Sequence, residues 1–146
     1  MTKRLFDNVA AFTDIHFGLK HNSKKHNQDC VDFLDWFIEQ AQLRDCETCI
    51  FLGDFHHHRA SINVSTLNYI YEALVKLSES FKKVYIITGN HDLFYREKRE
   101  LHSLVMGKSF DNIHLIDAPV VIDDVALVPW LVEDEWKDVK SIKSKY

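Results

Sequence analysis

The chain has 146 residues, 46% hydrophobic and 27% charged, with a formal net charge of −4 and three cysteines. That length predicts a single domain over 1–146 with one core. The odd cysteine count argues against a disulfide framework, no apolar run approaches ~18 residues, and MTKRLFDNVA holds no secretory h-region, so the expected setting is a reducing cytoplasm without a membrane span.

In chain order, Asn8 to Thr13 (NVAAFT) is short and apolar and reads as a buried strand that stops at Asp14. Residues 27–44 set Val31, Leu34, Ile38 and Ala41 at helical spacing, with Phe33 and Phe37 beside them and a polar opposite face. Thr48 to Leu52 is the second strand. Cys46 and Cys49 form a C-x-x-C, but there is no second pair and Cys49 enters the strand, so they read as core or surface cysteines rather than a zinc or redox site. Residues 64–80 again show one helical face, through Leu67, Ile70, Leu74 and Leu77, and Lys83 to Thr88 (KVYIIT) is a third strand. This β-α-β-α-β order with apolar strands predicts an α/β fold: a parallel sheet buried by helices on both faces. Beyond about residue 110 the segments shorten. Ile113–Ile116, Pro119–Ile122 and Val125–Val128 read as strands, with a hairpin turn at Asp123-Asp124, and Glu133 to Tyr146 as a charged, frayed helix.

A polar cluster follows each of the first three strands: Asp14-Ile15-His16, then Gly53-Asp54 with His56-His57-His58, then Gly89-Asn90-His91-Asp92. Their separation of about 36–40 residues suits one crossover each. A parallel sheet puts all three on its carboxyl edge, where ligands bind. Asp14, His16, Asp54 and Asn90 offer oxygen and nitrogen without thiolate, a set that suits manganese, iron or zinc. Asp54, central and with two carboxylate oxygens, can bridge two ions, and such a pair clamps a phosphate and acidifies water. His91 is then free to hydrogen-bond the phosphate or protonate the leaving oxygen. Three of the four glycines, Gly18, Gly53 and Gly89, lie within these clusters. Each cluster alone is an ordinary turn; the three together, in this order, point to chemistry.

D-x-H, G-D-x-x-H and G-N-H-D, as they stand at 14–16, 53–57 and 89–92, resemble the calcineurin-like metallophosphoesterase superfamily over roughly residues 8–132. Within it the chain is most similar to the Mre11/SbcD nucleases, phage recombination endonuclease subunits especially, through G-D-x-x-H in place of G-D-x-x-D and through Val128-Pro129-Trp130 on a strand after GNHD. The resemblance implies a β-sandwich flanked by helices (αββα), of which this is the N-terminal half. It implies two divalent ions, manganese first and zinc or iron as alternatives. Asp14, His16 and Asp54 would hold one ion, and Asp54 and Asn90 would begin the other. His57 would face the scissile phosphate, and His91, hydrogen-bonded through Asp92, would be catalytic. It also implies a hydrolase acting on DNA in recombination or repair, a Rad50/SbcC-like ATPase partner, and a host cytoplasm for a phage product.

The family's later histidine and G-H-x-H are not among these residues; His102 and His114 are the only histidines after His91, and neither lies in a G-H context. His114 sits in an apolar strand and reads as structural. The expectation is therefore a chain that alone binds metal weakly and is poorly active. It would be a fragment, a remnant, or a split half completed by a second chain supplying the missing histidines. Half a sandwich is also expected to leave its inner sheet face open to partners or aggregation. His56 and His58 have no family role and read as loop, packing or DNA-contact residues. Lys20, Lys24, Lys25, Arg59, Arg96, Lys98 and Arg99 follow the clusters and make a basic rim that suits a phosphodiester backbone, although ordinary solvated loops look the same. The alternatives are another enzyme of the superfamily, a phosphomonoesterase or cyclic-nucleotide phosphodiesterase, and a non-catalytic half acting only in a complex.

Overall fold

The computed structural model describes residues 4–95, 98–102 and 105–146, with side chains described outside 93–105. Four apolar strands, β1 (Val9–Phe12), β2 (Thr48–Phe51), β3 (Lys83–Ile87) and β6 (Ile113–Ile116), pair in the order β1-β2-β3-β6. All three pairings are parallel. Among the described residues two hairpins complete the strands: β4 (Leu93–Tyr95) with β5 (Lys98–His102), and β7 (Val120–Ile122) with β8 (Val125–Leu127). The first was not foreseen; it falls in a charged stretch with no alternating apolar pattern.

Helix α2 (Lys24–Leu43) follows a short turn, α1 (Leu19–Asn22), whose Lys20 and His21 take left-handed φ. It starts three residues before the apolar periodicity because the Ser23 hydroxyl accepts from the His26 N–H. The Asn63 side chain caps α3 (Val64–Ser80) in the same way, accepting from Ser65 and Thr66 N–H. The charged tail holds only a single short helix, α4 (Glu135–Val139). Among the described residues no helix is long and apolar enough to cross a membrane.

The alternation of the strands sorts the core into two sides. Cys49, Phe51, Val84 and Ile86 face α2 and α3, packing with Leu34, Ile70, Leu74 and Leu77. Ile50, Tyr85, Ile87 and Ile116 point the other way. The expected second helical layer is replaced there by the β7–β8 hairpin, which brings Val120, Ile122, Val125 and Leu127, and by Phe6. The expectation of an open inner face is therefore corrected: those four sheet residues are all buried. Val128-Pro129-Trp130 is also not on a strand; β8 stops at Leu127, and the Trp130 N–H bonds the Thr88 carbonyl at the end of β3 (2.9 Å).

Candidate metal centre

The parallel ladder does not stop where β1 and β2 end. Asp14 N–H bonds the Gly53 carbonyl (3.0 Å), His16 N–H that of Asp54 (3.1 Å), and Phe17 N–H that of Phe55 (2.9 Å). His57 N–H returns to the Phe17 carbonyl (3.0 Å). The first two clusters are thus one zipped strip, although Asp14, His16 and Asp54 all take left-handed φ of 57°, 50° and 61°. Aspartate and histidine tolerate that region better than most residues, and such backbone clusters at functional sites. Gly53, at φ 116°, occupies a conformation that only glycine takes freely.

The third cluster is drawn against this strip by Asp92. Its buried carboxylate accepts from the N–H groups of Asp54 (3.0 Å), Phe55 (2.9 Å), His56 (3.1 Å) and Gly89 (2.8 Å). Burial pushes this carboxyl up to about 6 against the pull of those backbone donors. Asp92 therefore ties two loops together, and its oxygens are spent on backbone rather than on the His91 ring. The His91 Nδ1 instead meets the His57 carbonyl (2.9 Å), and the His91 N–H donates to Asp54 Oδ1 (2.9 Å). Gly89 has no room for more: a Cβ there would stand 2.8 Å from Asp54 Cγ.

Among the described residues two groups of ligand atoms result, each within a 4.8 Å span: Asp14 with His16 and Asp54, and His16 with His57 and His91. His16 Nε2 lies 3.5 Å from Asp14 Oδ1 and 3.9 Å from Asp54 Oδ2. Asp14 is the open member, its side chain 59% exposed against 14% for Asp54. Asn90 is half-buried on the turn between Gly89 and His91. Burial first, and then the neighbouring histidines, hold His57 below the usual histidine range. Among the described residues, the buried Nδ1 atoms of His16 and His57 have no hydrogen-bond partner. An imidazole Nε2 beside two carboxylates, with further imidazole nitrogens within reach, is a donor set that fits a divalent cation.

Of the other histidines, His56 is fully buried as a packing residue, and His58 Nε2 meets the Gly18 carbonyl (3.0 Å). His114 stacks on Tyr85 (5.3 Å between ring centres), a structural role as expected. The His102 side chain, with those of Arg96, Lys98 and Arg99, lies outside the described residues. Of the foreseen rim, Lys20, Lys24 and Lys25 are exposed and Arg59 is half-buried.

Sequence reasoning missed the support behind the first loop. His26 Nε2 meets the His16 carbonyl (3.0 Å), and Asn27 Oδ1 accepts from the Gly18 N–H (2.8 Å) while its amide donates to Thr66 Oγ1 (3.0 Å). Asn27 on the buried face of α2 was the available signal, since a buried amide needs partners.

A family profile described as calcineurin-like phosphoesterase matches residues 8–142. Exonuclease subunit 1 of Enterobacteria phage T4 is 26% identical over 133 residues, covering 86% of this chain and 39% of that protein. The crystal structure of Pseudomonas putida nuclease MPE superposes with a TM-score of 0.51 at 26% identity, covering 80% of this chain and 50% of that one. The chain thus spans half or less of the length of these two relatives.

Proposed function

This chain belongs to the calcineurin-like phosphoesterase family, and from that premise we propose that it is the N-terminal portion of a metal-dependent DNA nuclease. The observation that carries this reading is the gathering of Asp14, His16, Asp54, His57 and His91 where β1, β2 and β3 end. The likeness to a phage exonuclease subunit and to a nuclease supports DNA over other phosphoesters. A recombination or repair role in a host cytoplasm, with an ATPase partner of Rad50/SbcC type, is part of the same reading; the phage relative's being a subunit supports a complex.

Asp14, His16, Asp54 and Asn90 would hold two divalent ions, manganese in this reading. Bound there, the ions supply charge neutralisation on the phosphate and acidify water. The residues do the rest. His57 donates a hydrogen bond to a non-bridging phosphate oxygen. His91 donates its Nδ1 proton to the His57 carbonyl, which fixes the ring and leaves Nε2 facing the substrate. Protonated at Nε2, it delivers that proton to the leaving oxygen. Asp92 acts one step back, as the anchor that keeps His91 over Asp54. The remaining ligands come from sequence outside these 146 residues, in the same polypeptide or a second one.

The test is manganese-dependent hydrolysis of single- and double-stranded DNA and of a chromogenic phosphate monoester. It is run with and without a segment of a related nuclease carrying G-H-x-H, beside the His91→Ala variant. Expected are weak activity alone, DNA cleavage with the segment, and a loss of about 10²–10⁴-fold in the variant. Faster turnover of the monoester, or a variant equal to the parent, overturns the reading.

A further inference from the structure

The proposed roles leave one arrangement unexplained: three imidazoles gather within one small space. The His57 and His91 rings stack at 5.2 Å and 14°, and His16 stands edge-on to both, at 5.4 and 5.0 Å. One nitrogen from each lies within 4.8 Å of the others. Bonds of ~2.0–2.1 Å to a tetrahedral ion would place such nitrogens about 3.4 Å apart, so the His57 and His91 rings would turn from their stacked arrangement to bind it. The His91 Nδ1 is held by a backbone carbonyl, as the outer nitrogen of a metal-binding histidine usually is. The His16 carbonyl is held from behind by His26. The Nδ1 atoms of His16 and His57 find no partner among the described residues.

We propose that His16, His57 and His91 form an all-nitrogen site for one zinc-like ion, distinct from the oxygen-rich group of Asp14, His16 and Asp54 and in competition with it for His16. Imidazole suits zinc, while carboxylate suits manganese, so the identity of the ion selects the arrangement. Zinc in the nitrogen site occupies the two histidines that would otherwise face the phosphate. The site itself stands without the nuclease reading; only its consequence, inhibition by zinc, rests on that reading.

The experiment titrates the 146-residue chain with cobalt(II), read by its tetrahedral visible absorption, with zinc by competition, and with manganese by electron paramagnetic resonance. The chain is compared with His57→Gln, His91→Gln and Asp14→Asn, each checked for folding by circular dichroism. His57→Asn or His91→Asn replaces the glutamine variant at the same position if that one does not fold. Zinc and cobalt affinity should fall about 10–100-fold in both histidine variants and change by less than about threefold in Asp14→Asn. Manganese should show the reverse order. A cobalt spectrum without tetrahedral bands, or zinc affinity lost in Asp14→Asn and kept in the histidine variants, overturns the proposal. Zinc binding as described without DNA cleavage in the preceding assay would leave this site standing and remove the nuclease reading alone.

Discussion

His56 is fully buried, and among the described residues neither of its ring nitrogens has a partner. Burial first, then its neighbours His58 and His57, lower its pKa to about 4 from the ordinary 6.5. A depressed histidine contributes stability that is present above pH 6.5 and lost as pH falls through about 4, because the folded chain resists a proton that the unfolded chain accepts. His56→Leu should therefore flatten that acid loss, by on the order of 1–3 kcal/mol at pH 4. Urea unfolding at pH 7, 5.5 and 4 in chelator measures it, and parallel curves for the two proteins would sink the argument. The triple histidine was legible as unusual, but its division of labour was not. One ring packs, one faces the centre and one braces Gly18, and only the backbone path through 54–58 decides which is which. For Asp92 the resemblance implied a bond to His91, whereas four backbone donors claim the carboxylate.

The strands and the two long helices could be read at the scale of elements because their periodicities are clean. Val84 and Ile86 against Tyr85 and Ile87 show the twofold alternation of a strand with two buried sides. What periodicity cannot report is what covers each side, since a helix and a hairpin ask the same of the sheet. The β4–β5 hairpin escaped because β4 is only three residues long and β5 carries charge where alternation would signal a strand. The junction of the second and third loops allows a sharper test. Any Cβ on Gly89 meets the backbone and carboxylate of Asp54, so one of the two loops must move. Gly89→Ala should cost about 1–3 kcal/mol, the range for forced overpacking, and weaken manganese binding in step. Denaturation beside a metal titration checks it, and a variant within about 0.5 kcal/mol of the parent would mean that the contact yields freely.

For the whole molecule, the hairpin β7–β8 is what converts one sheet with an apolar back into a closed two-sided core. Removing residues 118–146 would uncover Ile50, Tyr85, Ile87 and Ile116, each worth ~1.5–3 kcal/mol when buried. The shortened chain should bind a hydrophobic dye and aggregate; one that stays monomeric with unchanged stability would show that the hairpin is dispensable. The strand order foresaw the edge at which the polar clusters meet, the resemblance foresaw the family, and the hairpin turn at Asp123-Asp124 was legible; the expected open inner face was not borne out, because turn signals do not say which face a hairpin will cover. The zipped strip from Asp14 to Phe17 and Gly53 to His57 has a kinetic consequence. It joins residues about 40 apart, and the third loop adds a second join of similar span, so no local stretch assembles the ligands. Such non-local closure is slow, and it comes after the crossover helices have brought the strands side by side. Metal capture is then a late event in folding, one that reports a finished sheet and cannot nucleate it.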